Sequence, residues 1–236
     1  MYLSRVTYKD SSLGKACAFS RFKLGLYKSH QQIWQLFSND SIADGKSPFL
    51  FREEYKSING KKKKHYYVLS KEMPKKLEKI FNIETKKFNP ILKKGMKLGF
   101  VLRVNPTICV YKHGAKRGTR HDILMHAKKQ LKLKEGEGHI GLNLNEYFEK
   151  VAVSWLLDQK RLEKWGISFQ VNPLVKGWKS EKTFNSTNNK ISFTWVDYEG
   201  VLSVEDPELF MQVLQNGVGR AKAFGCGLFM IKRVYD

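Results

Sequence analysis

The chain has 236 residues, of which 42% are apolar, so it is long enough for one large domain or two small ones and is no disordered tail. Its 43 Lys+Arg against 22 Asp+Glu leave a formal net charge of +21. Such an excess draws polyanions, with nucleic acid the first candidate partner and an anionic membrane surface the rival.

The N-terminal MYLSRVTYKDSSLG has no apolar signal core, and no later stretch approaches the roughly 18 apolar residues of a membrane span, which predicts a cytoplasmic protein. YLSRVTY within Met1–Tyr8 alternates as a strand. LYKSHQQIWQLF (26–37) places Leu26, His30, Ile33, Trp34 and Phe37 at helical spacing. Two strands follow at 47–55 and 64–71, joined through the turn residues Asn59-Gly60. After Met73-Pro74, KKLEKIFNI reads as a short helix running into a last strand. The order is β-α-β-β-α-β, and it repeats. KLGFVLRVNPTI (97–108) alternates, and 145–166 is one amphipathic helix ending at Gly166. Segments 167–173 and 190–204 are strand-like. Asp206-Pro207 opens a helix whose Leu209, Phe210, Val213 and Leu214 share a face, and 226–234 supplies the final strand. The expected architecture is α+β: two tandem ferredoxin-like domains, 1–90 and 91–236, the second with an insertion at about 109–144.

Between the last helix and the last strand lies GVGRAKAFGCG (217–227). A dinucleotide fingerprint needs a strand before its glycines and a helix after them, which is the reverse order, and GxxxxGK[ST] is missing. A nucleotide cofactor is therefore rejected. The glycines allow close backbone approach, and successive amides with Arg220 and Lys222 can form an anion-binding nest; a plain helix-to-strand connection is the bland alternative. Residues 112–134 hold eight Lys/Arg and one acid, with Lys116, Arg117 and Arg120 before a helix starting near His121. Lys61–Lys64 sit at a hairpin tip, where phosphate binding and mere solubility are equally served. Cys17, Cys109 and Cys226 include no CxxC pair, so neither a zinc site nor a disulfide framework is expected.

His30 sits on the apolar face of its helix, where a core histidine is the plain reading. Tyr27 lies three residues earlier on the same face, and KACAFSRFKLG (15–25) before it is basic. An imidazole, with a free pKa of about 6.5, suits moving a proton at neutral pH. Tyr27 either helps at a phosphate or packs beside Trp34.

Four features together resemble the CasE-type CRISPR RNA-processing endoribonucleases of the repeat-associated RNA-binding superfamily. They are the start MYLSRV, the motif Tyr27-x-x-His30 running into IWQLF, FVLRVNP (100–106) and the closing GVGRAKAFGCGLF. The resemblance implies a metal-independent ribonuclease that cuts a CRISPR repeat hairpin at its 3′ base. The ribose 2′-hydroxyl attacks its own phosphate, leaving a 2′,3′-cyclic phosphate and a 5′-hydroxyl, and the protein stays on the product beside other Cascade subunits. On the matching motif His30 becomes the acid/base and Tyr27 its neighbour. Segment 172–190, with Lys176, Lys179 and Lys182, becomes the hairpin that enters the groove of the RNA stem. Lysines there read shape and phosphate rather than bases, because the major groove of A-form RNA is deep and narrow. Two rivals stand beside this reading. One is a non-catalytic RNA-holding subunit; the other is a metal-dependent phosphohydrolase built on His121-Asp122, whose His126 lies five residues on and so on a different helix face.

Overall fold

Alternation in the first strand, β1 (Tyr2–Tyr8), turns Ser4 and Val6 inward and sends Leu3, Arg5 and Thr7 to the other face. The computed structural model describes residues 1–37, 47–58, 60–111, 114, 117–134, 143–184 and 189–234, with the side chains of 18–27, 58, 61–62 and 132–134 left out of the description. β1 pairs antiparallel with β3 (Lys61–Ser70) and β4 (Phe81–Lys87), and β3 pairs with β2 (Phe49–Ile58). The sheet order is β2-β3-β1-β4. Helix α1 (Ser12–Trp34) connects β1 to β2 and begins at Ser11, whose hydroxyl accepts from the Gly14 amide at 3.1 Å. Val6, Ile33, Leu36, Phe37, Phe49, Phe51, Tyr66, Val68 and Phe81 form the core beneath it.

α1 begins fourteen residues before the expected 26 and is not straight. The Gln32 side-chain amide donates to the Cys17 carbonyl at 3.0 Å. In a straight helix that offset of fifteen residues spans about 22 Å. The element therefore bends back between these two residues. A second departure concerns KKLEKIFNI, where a single turn at 78–80 replaces the expected helix. Leu77 and Ile80 already meet the core from this segment, which the Lys75 amide pins to the Leu36 carbonyl at 2.7 Å. Packing has overridden a weak helical pattern.

The second sheet repeats the topology with β5 (Lys97–Val104), β8 (Ile167–Ser168), β10 (Lys190–Val204) and β11 (Phe229–Arg233), in the order β11-β5-β10-β8. In both sheets the first and third strands of the repeat pair at the centre, and the second and fourth lie at the edges. This is the ferredoxin-like order, so the α+β class and the doubled scaffold stand. β9 (Leu174–Phe184) extends from β10 off this path. The insertion folds as a hairpin of β6 (Thr107–Val110) and β7 (Thr119–Asp122), followed by α2 (Ile123–Lys134).

The helix expected over 145–166 is two: α3 (Leu144–Leu156) and α4 (Gln159–Trp165). Asp158 breaks it, because its carboxylate caps the Arg161 amide at 3.0 Å and starts a new helix. Asp206 does the same for α5 (Pro207–Asn216), accepting from the Glu208 and Leu209 amides at 2.9 and 3.0 Å. No helix among the described residues is long and apolar enough to cross a membrane.

Two compact units result. The first is Met1–Ile91 with Lys182–Ser192 and Leu214–Leu228; the second is Leu92–Glu181 with Phe193–Val213 and Phe229–Asp236. The glycine-rich segment thus groups with α1 rather than with its neighbours in the sequence.

Candidate functional site

His30 emerges from the last turns of α1, partly buried against three aromatic rings. Its ring centroid lies 5.4 Å from those of Trp34 and Phe49 and 6.1 Å from that of Phe51. Trp34 is one helical turn on, while Phe49 and Phe51 share the inward parity of β2, so helix period and strand period together build the wall. Burial lowers the His30 pKa below its ordinary 6.5. At neutral pH the imidazole is therefore predominantly uncharged, the form that can act as a base. Tyr27 belongs to the same helix, but its side chain lies outside the described residues.

The glycine-rich segment flanks this region within the same unit. Its single 3-10 turn, Lys222–Phe224, packs against α1 and against β2, an edge strand that it covers. The loop is closed by the Val218 amide donating to the Gly227 carbonyl at 2.9 Å. Glycine is required at both ends. A Cβ on Gly217 would lie 2.7 Å from the Leu50 side chain, and one on Gly227 only 2.4 Å from the Val218 carbonyl oxygen. Both also have positive φ, 65° and 89°. Ala221 shares that conformation at φ 58°, which costs an alanine roughly 1–2 kcal/mol. Arg220 is exposed on this loop, whereas the Lys222 ammonium donates to the Asn216 carbonyl at the end of α5, at 2.6 Å. In this structure Lys222 fastens the loop, and Arg220 is the side chain left facing solvent.

Of the other cations singled out from sequence, Lys182 belongs to the first unit with His30 and Arg220. Lys176, Lys179, Arg117 and Arg120 belong to the second, and Lys116 lies outside the described residues. Lys176 pairs with Glu199 at 3.1 Å and Lys179 with Glu181 at 2.7 Å, both across or along the β9–β10 ribbon. Polyanion binding there must first displace glutamates. Lys64 does not serve a solvated hairpin tip, because its ammonium reaches Glu53 at 3.2 Å with both side chains about nine-tenths buried. Arg103 is bidentate to Asp197 at 2.8 and 2.6 Å and stacks 4.1 Å over Trp195, a structural clamp.

The His121-Asp122 pair resolves differently from its sequence reading. His121 precedes α2, and its ring comes within 5.6 Å of His126 rather than diverging from it. Asp122 is a helix cap: one carboxylate oxygen accepts from the Leu124 and Met125 amides at 3.1 and 3.0 Å, the other from Thr194 at 2.8 Å. Among the described residues no three His, Cys, Asp or Glu side chains gather as metal ligands would.

Sequence reasoning missed a polar chain beneath α1. Ser29 is fully buried, donates to Glu53 at 3.4 Å and accepts from Tyr66 at 3.3 Å. Tyr66 touches the Tyr8 hydroxyl at 3.2 Å, and Tyr8 donates to Gln32 at 2.5 Å. Strand parity carried a signal, since Glu53 shares its face with Phe49 and Phe51, and Lys64 with Tyr66 and Val68.

A family model described as CRISPR associated protein matches residues 1–233. The chain belongs to that family. Among its relatives is the CRISPR system Cascade subunit CasE of Escherichia coli (strain K12), 29% identical over 231 residues that cover 98% of each chain. The fold of this family member resembles that of CRISPR endoribonuclease Cse3 bound to a 19 nt RNA, with TM-score 0.71, 21% identity and coverage of 98% and 100%. It also resembles Thermus thermophilus Cse3 bound to an RNA representing a pre-cleavage complex, with TM-score 0.68, 22% identity and 98% of each chain covered. CRISPR-associated protein Cas6e from Escherichia coli K-12 aligns with TM-score 0.57 and 22% identity, over 99% and 100% of the two chains.

Proposed function

We propose that this protein is a metal-independent endoribonuclease that binds the hairpin of a CRISPR repeat and cuts precursor RNA at the hairpin's 3′ base. The observation that carries the reading is His30, an imidazole kept neutral by an aromatic wall and placed in one compact unit with a basic, glycine-rich loop. The neutral ring takes the 2′-hydroxyl proton; the 2′-oxygen attacks the adjacent phosphorus; the bond from phosphorus to the 5′-oxygen breaks. The products are a 2′,3′-cyclic phosphate and, once the leaving oxygen is protonated, a 5′-hydroxyl. General acid/base assistance of this kind is worth about 10²–10⁴-fold. No step needs a metal ion, because the nucleophile and leaving group lie on the RNA itself.

Arg220 and the loop amides supply phosphate contacts near His30, with Lys182 contributing from the β9–β10 tip. Lys176, Lys179, Lys116, Arg117 and Arg120 are further candidate RNA contacts from the 92–181 segment, while Lys222 acts on RNA only by releasing Asn216. Tyr27 assists at the scissile phosphate. The names of the relatives support retention of the product within a Cascade assembly, and with it a cytoplasmic location.

The test is cleavage of a repeat hairpin in excess EDTA, with analysis of product ends. Native protein is expected to yield the cyclic phosphate, and His30→Ala to lose about 10²-fold or more in rate with hairpin affinity retained. Tight binding with no cutting by native protein would leave an RNA-holding subunit. Cutting only on return of metal would overturn the mechanism.

A further inference from the structure

The β6–β7 hairpin of the second unit carries, besides Arg117 and Arg120, an exposed ring, Tyr111, that the proposed cleavage does not use. Its register pairs Cys109 with Arg120 and Val110 with Thr119, and one step further it sets Tyr111 opposite Gly118. That glycine is a matter of space. A Cβ on Gly118 would lie 3.1 Å from two atoms of the Tyr111 ring and 2.5 Å from the Cys109 sulfur. The ring therefore lies close against the neighbouring strand, supported from one side, yet Tyr111 remains 67% exposed. Arg117 and Arg120 are exposed on the same hairpin, and neither forms an ion pair with any described residue. Asp122, on β7 of this hairpin, directs its carboxylate oxygens to three backbone amides rather than to either guanidinium. A solvent-facing aromatic ring lying against the neighbouring strand, on the same hairpin as two exposed guanidinium groups, is a combination suited to single-stranded nucleic acid, where every base offers a face for stacking and every phosphate a charge.

We propose that Tyr111, with Arg117 and Arg120, is a stacking site for unpaired RNA, taking nucleotides that flank the hairpin stem. A paired stem does not suit it. Inside an A-form helix the base faces are covered by their neighbours and the major groove is too narrow for a ribbon-borne ring. Unpaired RNA is available because a hairpin within a longer transcript carries chain on either side of its stem before the cut, and on its 5′ side after it. That last point rests on the function proposed above; the surface itself does not.

The experiment measures equilibrium binding of the full chain to four labelled RNAs. They are the hairpin alone, the hairpin extended by about eight uridines on its 5′ side, the same on its 3′ side with a 2′-deoxy nucleotide at the cut so that it stays intact, and linear oligo-uridine, a length within the roughly 4–16 nucleotides such sites span. Native protein is expected to bind one extended hairpin about 5- to 100-fold tighter than the hairpin alone, the equilibrium weight of a stacked base. Tyr111→Ala should erase that increment and leave hairpin affinity unchanged. Tyr111→Phe, which keeps the ring, should retain it. Arg120→Gln should lower the salt dependence on the extended RNA by about one phosphate contact. An increment that survives Tyr111→Ala overturns the site, as does equal weakening of all four RNAs. Should the hairpin itself fail to bind, the proposed function fails. Linear oligo-uridine then decides the site alone: binding lost in Tyr111→Ala supports it, and binding unchanged in the variant, or none by native protein, overturns it.

Discussion

Trp34, Phe49 and Phe51 exclude water from one side of His30, and the resulting burial favours the uncharged ring. If that ring is the base, the single-turnover cleavage rate should rise with pH through a midpoint below 6.5 and level off at neutral pH. Trp34→Ala opens the site to water, which weakens the cause of the shift and should move the midpoint up toward the ordinary value. A pH–rate profile on both proteins checks this, and an unmoved midpoint would break the link between the wall and the base. The helical spacing of Tyr27, His30, Ile33 and Trp34 was legible from the sequence alone. The Phe49 and Phe51 side of the wall was not, because it comes from a strand pairing some twenty residues away.

One element, α1, is held to its sheet by more than apolar packing. Ser29, Gln32, Tyr8, Tyr66, Glu53 and Lys64 form a connected buried chain between helix and strands. Each hydroxyl has one proton to give. Ser29 spends its proton on Glu53 and Tyr8 on Gln32, which leaves the Tyr66 proton between Ser29 and Tyr8. A buried ion pair adds little net stability, but removing one partner strands the other charge in a low-dielectric interior. Glu53→Ala should therefore lower unfolding free energy by up to about 3–5 kcal/mol, because the buried Lys64 loses its carboxylate. Tyr66→Phe, which drops one hydroxyl, should cost only about 1 kcal/mol. Urea titration of the three proteins separates these values, and near-native stability of Glu53→Ala would show the pair to be solvated. These residues give His30 its orientation on the helix, since Ser29 and Gln32 fix the rotation of the turns that bear it.

Across the whole molecule, net charge +21, a buried histidine and a partly buried one act in the same direction as pH falls. His65, on β3, is 4% exposed, and neither ring nitrogen has a hydrogen-bond partner among the described residues. Its pKa is lowered first by burial, then by the Lys56 and Arg5 cations, against an opposing pull from Glu84. His30 is lowered as well. Between the depressed and the ordinary pKa the unfolded chain binds more protons than the folded one, so this stability is full above about 6.5 and is lost as pH falls. Thermal melting should therefore drop on acidification below that point. His65→Phe keeps the ring and removes the titration, so its melting temperature should fall less steeply over the same range; equal slopes would show that His65 contributes nothing.

Period and punctuation are local properties, and the sequence alone sufficed for them. The alternation of β1 and β10, the start of α5 at Asp206-Pro207 and the glycine-rich closing loop all rest on interactions within a few residues. So did the doubled strand–helix order that implied two ferredoxin-like repeats. Tertiary structure decided what depends on pairing across long separations. It bent α1 through the Gln32–Cys17 hydrogen bond, replaced the helix after Pro74 by a single turn whose Leu77 and Ile80 meet the core, and paired Lys64 with Glu53. It also grouped residues 214–228 with α1 and β2, more than 150 residues away in sequence. Loop closure over such distances depends on what the closed chain finds to pack against, and that is set by shape and partner geometry rather than by the local residue pattern.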